Sequence, residues 1–269
     1  MFLAACVQLR CTVDQDANLE RAEALIRRAA GYGASLIATP ENTPYLGPQF
    51  HKVELAEDLD GPIASRLGAL AGELGVHLLV GSLGQRAPGE TTRCHNTSLL
   101  FGPNGTRTAA YQKMHLFDVD IPGGLTIAES DSIVAGNDVV VAETPLGKLG
   151  MTICYDLRFP EMYRALRDRG AEMIAVPSAF TATTGKAHWH ALLRARAIET
   201  QCYVLAPAQW GVHDEQGKRH SYGHSLIVDP WGAVVAECSD GEGLCLAEID
   251  LDRVRRVRSS IPVGDHRRL

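Results

Sequence analysis

The sequence contains no apolar run long enough to cross a membrane and no excess of basic residues. A membrane-spanning helix needs ~18 consecutive apolar residues, and no stretch of the 269-residue chain approaches that length. The 26 lysine and arginine residues are outnumbered by 32 aspartate and glutamate residues, which gives a net charge of -6. Proteins that depend on nucleic acid phosphates for affinity are basic. The composition therefore excludes a membrane-spanning protein and argues against a nucleic-acid-binding one.

The cysteines lack the spacing of a disulfide framework or a zinc ribbon. There are seven, an odd number, and no two form a C-x-x-C pair. Leu3-Ala4-Ala5-Cys6 superficially resembles a lipoprotein cleavage site, but no basic segment and no long apolar stretch precede it. We therefore expect residues 1–9 to form a strand, and we expect reduced thiols in a cytoplasmic protein.

Motifs for metals and nucleotides are incomplete. The ten histidines include pairs at positions 188 and 190 and at positions 220 and 224, but Ser221 follows His220, so no H-E-x-x-H metal motif is formed. Gly31 and Gly33 begin a dinucleotide motif whose third glycine position holds Leu36, and no phosphate-binding loop is present. The sequence therefore predicts neither a metal nor a cofactor.

Helical and strand-like patterns alternate along the chain. Apolar residues at helical spacing predict helices over 18–30, with Asp14 or Asp16 as the cap, and over 63–74. Short apolar runs predict strands over 3–9, 36–39 and 76–81. Turn signals between apolar runs predict hairpins at 102–105, 144–147 and 229–232. Parallel β-α-β units combined with hairpins indicate an α/β fold with mixed sheets.

One segment of the chain is repeated in weaker form. Residues 33–40 resemble residues 170–177, because both are strand-like runs that follow a helix and end at a proline. The similarity indicates either two comparable halves or a chance match between two buried strands. In the first case each half offers residues at the carboxyl end of a strand, where ligands of open α/β sheets usually bind. No linker interrupts the chain, so we predict a single domain over 1–269.

Cys154 is the first candidate for chemistry. It follows the apolar run 149–153, and Pro160 is well placed to begin a helix over 161–169. A cysteine on a sharp strand-to-helix turn is presented to a ligand, and a nearby helix N-terminus or cation favours its thiolate. A lone cysteine is more commonly a buried structural residue, so Cys154 needs partners to carry a function.

Three charged residues are candidate partners. Glu41 directly follows a predicted buried strand, where burial raises the pKa of a carboxyl group and lets it exchange protons near neutral pH. Lys113 ends the second strand of the hairpin at 102–105, where its cation can stabilise an oxyanion, although a solvated edge lysine is the commoner case. Glu129 is predicted to lie in a loop. Each of these signals is weak when taken separately.

Longer motifs surround these residues. They are P-E-N at 40–42, Y-Q-K-M-H at 111–115, C-Y-D-L-R-F-P-E at 154–161, P-S-A-F at 177–180, A-H-W at 187–189, L-R-A-R-A-I-E-T-Q-C-Y-V at 193–204, S-Y-G-H-S at 221–225 and V-D-P-W-G at 228–232. With these motifs the whole chain resembles the nitrilase superfamily of carbon–nitrogen hydrolases. From Gly147 onward the resemblance narrows to the Nit branch, the deaminated glutathione amidases, which also occur as the Nit part of NitFhit proteins.

The resemblance implies a four-layer α-β-β-α sandwich that forms a homodimer, or a higher homo-oligomer, through its α faces. It also implies a catalytic set. In this set Cys154 corresponds to the nucleophile of the family, and Glu41 corresponds to the group that accepts and returns protons. Lys113 corresponds to the cation that stabilises the oxyanion. Glu129 falls on a second glutamate that supports Lys113.

The implied reaction is hydrolysis of the amide bond of deaminated glutathione to 2-oxoglutarate and cysteinylglycine, through a thioester on Cys154. This small molecule carries carboxylates, and we expect Tyr155, Arg158 and Phe180 to bind it, although Arg158 can instead pair with Glu161. Segments 42–47 and 120–125 are less typical of the branch and are expected to line the pocket.

Two other interpretations stay open. One is an ω-amidase that acts on 2-oxoglutaramate or 2-oxosuccinamate, and the other is a non-catalytic interaction protein with the same fold. Arginines 253, 255, 256, 258, 267 and 268 can contact an acidic partner, but a solvated helix and tail explain them as well.

Overall fold

The computed structural model describes residues 1–120 and 126–268. Its helices are α1 (Gln15–Gly31), α2 (Gln49–Glu54), α3 (Pro62–Leu74), α4 (Pro160–Asp168), α5 (Ala182–Thr200), α6 (Leu251–Ser260) and α7 (Val263–His266). Its strands are β1 (Phe2–Gln8), β2 (Ala34–Ala38), β3 (His77–Arg86), β4 (Cys94–Phe101), β5 (Arg107–Gln112), β6 (Asp118–Asp120), β7 (Thr126–Ala128), β8 (Val140–Thr144), β9 (Gly147–Met151), β10 (Met173–Ala175), β11 (Tyr203–Ala206), β12 (Trp210–Val212), β13 (His220–Tyr222), β14 (Leu226–Val228), β15 (Val234–Glu237) and β16 (Gly243–Ile249). Short 3₁₀ helices cover Glu129–Asp131 and Cys154–Arg158. Over the described ranges, no helix is both long and apolar enough to cross a membrane.

The predicted elements are confirmed, with small shifts at their ends. The helices predicted over 18–30, 63–74 and 161–169 are α1, α3 and α4. Asp14 caps α1, because its side chain accepts a hydrogen bond from the backbone N–H of Ala17 at 3.1 Å. The three predicted hairpins are β4–β5, β8–β9 and β14–β15. Of the segment 120–125, only Asp120 belongs to the described residues.

The strands form two six-stranded mixed sheets. The first has the order β16-β1-β2-β3-β4-β5, and the second has the order β15-β14-β11-β10-β9-β8. Strand β2 lies between the parallel neighbours β1 and β3. Strand β10 likewise lies between the parallel neighbours β9 and β11. The two similar segments therefore occupy comparable interior positions in the two sheets, and the predicted α/β class with mixed sheets is confirmed.

The side chains of β1 show how the layers are arranged. Ala4 and Cys6 point into a core that also contains residues of the second sheet, α4 and α5. Ala5 and Val7 point the other way, into a core shared with α1 and α3. Because successive side chains of a strand face opposite sides, this alternation defines four layers in the order helix, sheet, sheet, helix.

Strand β16 closes the first sheet from the far end of the sequence. It pairs with β1 in antiparallel register, from Phe2 opposite Ile249 to Gln8 opposite Gly243. Helix α6 follows β16 and contains the arginines at 253, 255, 256 and 258, for which a solvated helix was one of the two interpretations. Three of its four arginines bind acidic groups of the chain itself, as in the pair between Arg256 and Asp250 at 2.8 Å, and Arg258 donates to the Ala171 carbonyl oxygen at 2.7 Å.

Candidate active site

Glu41 lies at the carboxyl end of β2, and a close approach between strands fixes its position. Gly81 on β3 lies so near the preceding residues that an added Cβ atom would be 2.0 Å from the Thr39 carbonyl oxygen. Only glycine allows this contact. Glu41 is 3% exposed, and its Oε2 accepts a hydrogen bond from the backbone N–H of Ala179 at 2.9 Å. The carboxyl group thus connects the ends of the two similar segments, one in each sheet.

Lys113 follows β5 and is buried between two carboxylates. Its Nζ donates to Glu41 Oε1 at 3.0 Å and to Glu129 Oε1 and Oε2 at 3.0 and 2.9 Å. Lys113 is 2% exposed, so it is not a solvated edge lysine. Glu129 begins a 3₁₀ helix, is 5% exposed, and also accepts from the backbone N–H of Phe117 at 2.7 Å. A buried charge is tolerated when it is paired in this way.

Cys154 lies on a tight turn between β9 and a 3₁₀ helix. Its φ of +48° belongs to the left-handed region, which a side chain other than glycine rarely adopts. Asp156 holds the turn, because its carboxylate accepts from the backbone N–H of Ile153 at 2.8 Å and from the Tyr111 hydroxyl at 2.6 Å. Helix α4 begins only at Pro160. The predicted sharp turn is confirmed, but a 3₁₀ turn, and not α4, follows the thiol directly.

These side chains line one cavity of about 660 Å³. Glu41, Lys113, Glu129 and Cys154 all contribute to its wall, although they lie far apart in the sequence. A cavity of this size holds a small organic molecule. The arrangement places the Cys154 sulfur, the Glu41 carboxyl group and the Lys113 amino group on the wall of the same cavity.

The charges in the cavity shift the pKa values of its groups in opposite directions. Burial alone would raise the pKa of Glu41, but Lys113 and Lys52 outweigh it, so the pKa lies below its ordinary value. The sequence-based prediction of a raised pKa for Glu41 is therefore wrong. Burial and the Glu41 charge raise the pKa of the Cys154 thiol well above its ordinary value. Burial alone would lower the pKa of Lys113, yet Glu129 and Glu41 raise it. The resting site holds a thiol, a carboxylate and an ammonium.

Three further residues of the site were not predicted from the sequence. Asn96 on β4 donates from Nδ2 to Glu41 Oε1 at 2.9 Å and to Glu129 Oε1 at 3.4 Å. Lys52 on α2 is buried and donates to Asn42 Oδ1 at 2.7 Å. Asp156 is the third. Asn96 could have been found from the polar run at 95–98, because this run lies within a strand that is buried throughout.

Tyr155, Arg158 and Phe180 line the same cavity. The guanidinium carbon of Arg158 lies 5.1 Å from the centre of the Phe180 ring and 5.8 Å from that of Tyr155. Nη1 of Arg158 also contacts Nδ1 of His188 at 3.2 Å. In the described part of the chain Arg158 forms no ion pair with Glu161, so the alternative pairing is not observed.

Two histidines from different predicted pairs meet outside this cavity. Nε2 of His190 and Nδ1 of His224 lie 2.9 and 2.7 Å from Oε1 of Glu237. The three ligand atoms lie within 4.8 Å of one another, which is compatible with a cation. The same contacts are explained by hydrogen bonds from the two rings to one carboxylate. None of the three residues lines the cavity of Cys154.

The cavity is lined by a buried cysteine, lysine and glutamate, which are residue types used by hydrolases that form a covalent intermediate on a thiol. Residues 3–259 match the carbon–nitrogen hydrolase family model, and the chain belongs to the carbon–nitrogen hydrolase family. Among curated relatives, deaminated glutathione amidase from Synechocystis sp. is 44% identical over 99% of this chain and 98% of its own length. The human protein of the same name is 45% identical over 99% of this chain and 82% of its own length.

A solved structure has the same fold. The NitFhit protein of Caenorhabditis elegans superposes with a TM-score of 0.93 at 42% identity. The match covers 99% of this chain and 65% of the NitFhit chain. The four-layer α-β-β-α sandwich expected from the resemblance is therefore confirmed.

Proposed function

We propose that the protein is an amidase that hydrolyses deaminated glutathione to 2-oxoglutarate and cysteinylglycine through a thioester on Cys154. The observation that carries the proposal is the buried Lys113, bonded to both Glu41 and Glu129, on the wall of the cavity that Cys154 lines. The names of the relatives from Synechocystis and human support the choice of substrate.

In the first half of the reaction, Cys154 Sγ attacks the amide carbonyl carbon while the thiol proton passes to Glu41. Because the thiol has a raised pKa and Glu41 a lowered one, this proton does not leave ahead of the attack. It moves as the C–S bond forms and negative charge develops on the carbonyl oxygen. The Lys113 ammonium and the backbone N–H of Tyr155 stabilise that oxyanion.

Collapse of the tetrahedral intermediate breaks the C–N bond. Protonated Glu41 gives its proton to the departing amine, and the lowered pKa of Glu41 favours this transfer. A water molecule then replaces the amine and gives a proton to Glu41 as its oxygen attacks the thioester. Loss of the sulfur releases the carboxylic acid, and Glu41 returns the proton to Cys154. Glu129 acts by holding Lys113. No step requires a cofactor.

Arg158 is the proposed anchor for the carboxylate of the oxoacid part of the substrate. It belongs to the same 3₁₀ turn as Cys154. The carboxylate at the far end of a short acyl group bound to Cys154 would therefore lie near the Arg158 guanidinium. Phe180 and Tyr155 hold the guanidinium by cation–π contact. Apart from the contact of Nη1 with Nδ1 of His188, the guanidinium has further N–H donors for a carboxylate contact.

The proposal is tested by comparing kcat/KM for deaminated glutathione and 2-oxoglutaramate in the wild type and in Cys154→Ala, with Cys238→Ala as the matched control. We expect the wild type to prefer deaminated glutathione, Cys154→Ala to lose nearly all turnover, and the control to match the wild type. A preference for 2-oxoglutaramate would identify an ω-amidase. Absence of turnover on either substrate would leave the non-catalytic interaction protein.

We propose further that residues 1–269 form one domain, that it acts in the cytoplasm, and that it dimerises through its α faces. The family match over 3–259 and seven unpaired cysteines support the first two points. Ile198 on α5 is 48% exposed, and the nearby Trp231 is 55% exposed. Burial of this apolar surface by a second copy would stabilise a dimer. Sedimentation equilibrium tests it, and Ile198→Asp is expected to halve the mass.

A further inference from the structure

The cavity contains more positive than negative side chains. Lysines 52 and 113, Arg158, Lys218 and Arg219 line it, against the carboxylates of Glu41 and Glu129. His213 also lines the cavity, but burial lowers its pKa to about 4, so it is neutral at pH 7.

Both carboxylates are bonded to Lys113, and their charges also act on the buried Lys52, so the two carboxylates balance the two lysines. Lys52 is held by the Asn42 amide oxygen. Among the residues that the structure describes, Arg158, Lys218 and Arg219 have no carboxylate within 4.0 Å of their charged nitrogens. Unpaired cations on a cavity wall favour an anionic ligand. Arg158 can bind one anionic group of a ligand, and Lys218 and Arg219 remain for a second anionic group.

Hydrogen bonds within the loop between β12 and β13 hold the backbone of Lys218 and Arg219. Both carboxylate oxygens of Asp214 accept backbone N–H groups, one from Lys218 and one from Arg219, each at 2.9 Å. The backbone N–H of His213 donates to the Arg219 carbonyl oxygen at 2.9 Å, which joins the two ends of the loop. Nη1 of Arg219 donates to the carbonyl oxygen of Gly47, on a separate segment of the cavity wall. The guanidinium is thereby positioned, while most of its five N–H donors stay available.

We propose that Arg219, with Lys218, forms a second carboxylate subsite that binds the leaving-group end of a peptide-like amide and thereby selects it over a short amide. This inference rests on the proposed function. Deaminated glutathione has one carboxylate on the oxoacid side of the scissile bond and another on the glycine of the leaving dipeptide. 2-Oxoglutaramate has only the first, because its leaving group is ammonia. Arg158 shares a 3₁₀ helix with Cys154, and Arg219 lines the same cavity from the separate loop between β12 and β13, so each carboxylate has its own cation.

The test removes the charge from the enzyme and from the substrate in turn. The enzymes are the wild type, Arg219→Met, Arg219→Lys and the surface control Arg255→Met. The substrates are deaminated glutathione, its analogue with a carboxamide in place of the glycine carboxylate, and 2-oxoglutaramate. We expect Arg219→Met to lower kcat/KM for deaminated glutathione about 10- to 100-fold, mainly through KM. The wild type should lose a similar factor on the carboxamide, and Arg219→Met should lose no further factor there. Arg219→Lys should recover part of the loss.

The possible failures are distinguishable. If the wild type hydrolyses 2-oxoglutaramate but not deaminated glutathione, the proposed function is wrong. If it hydrolyses deaminated glutathione and Arg219→Met lowers kcat/KM equally for the acid and the carboxamide, Arg219 only supports the Gly47 segment and the subsite is overturned. An unchanged kcat/KM in Arg219→Met also overturns it. Arg255→Met should match the wild type on all three substrates.

Discussion

Glu129→Gln tests the role of the buried ammonium without removing it. The substitution keeps the size and one acceptor oxygen of the side chain but removes its charge. In the structure both oxygens of Glu129 hold Lys113 Nζ, at 3.0 and 2.9 Å, and Oε2 also accepts from Phe117 at 2.7 Å. A neutral amide can accept at only one of these positions. Lys113 would then be held chiefly by Glu41, and it would shift from the point where the oxyanion forms.

The magnitude follows from these contacts. Loss of one oxyanion donor lowers kcat about 10²- to 10³-fold, and a displaced donor is expected at the lower end, about 10²-fold. This corresponds to roughly 2.7 kcal/mol of transition-state stabilisation. KM should change little, because the effect arises when charge develops on the substrate oxygen. The alkaline limb of the kcat profile should move to lower pH, because Glu129 helps to raise the pKa of Lys113.

The assay measures kcat and KM on deaminated glutathione across pH for Glu129→Gln and for Glu57→Gln. Glu57 is a suitable control because it is also buried, and it accepts backbone N–H groups of Ile63 and Ala64 at 3.1 and 2.8 Å at the start of α3. Its loss should lower stability by about 1 kcal/mol and leave kcat unchanged. A Glu129→Gln enzyme that keeps wild-type kcat and a wild-type alkaline limb would refute the role given to this pair.

Three other predictions concern proton and backbone positions. Because the pKa of Cys154 is raised, iodoacetamide should alkylate it slowly at pH 7 and faster as pH rises. Glu41→Gln removes a charge that raises this pKa, so it should shift the pH profile of alkylation to lower pH while turnover is lost. Mass spectrometry measures the alkylation of both enzymes, and an unshifted profile would count against the coupling of the two groups. The pKa of His213 is about 4 in the folded protein, against an ordinary value of 6.5. As pH falls from 6.5 to 4, the unfolded chain therefore binds the proton first, and up to roughly 3 kcal/mol of unfolding free energy is lost. Urea unfolding of His213→Gln should show a smaller loss over this range, and an equal loss would exclude His213 as its source. Gly81→Ala should lose about 1–3 kcal/mol of unfolding free energy together with activity, because its Cβ would displace the Thr39 carbonyl beside Glu41; a melting temperature and kcat like those of the wild type would contradict this.

Local signals allowed much of the backbone to be predicted. Helix α1 carries its own cap at Asp14, and the hairpin turns contain the glycines that such turns need. Helix α5 was not predicted, and its buried side explains why. That side contains Gly185, Arg196 and Thr200 beside its apolar residues, so hydrophobic periodicity is weak. Contacts with the second sheet, and not the local pattern, stabilise this helix.

The site could be predicted as a set of residue types but not as a set of charges. The motifs around Glu41, Lys113 and Cys154 pointed to the chemistry, and these residues do line one cavity. The raised pKa expected for Glu41 was wrong, because burial was considered without the neighbouring cations. Lys52 reaches the site from α2 only after the chain has folded. Its position depends on tertiary packing that no local motif records.

The pairing of β1 with β16 has a consequence for synthesis on the ribosome. Residues 2–8 are translated more than 230 residues before their antiparallel partner, residues 243–249. Until then one edge of β1 has no strand beside it, and its apolar residues are open to misassociation. The first sheet is therefore completed only after residues 243–249 have been translated, and nascent chains halted before residue 243 are expected to bind chaperones that recognise exposed strand edges.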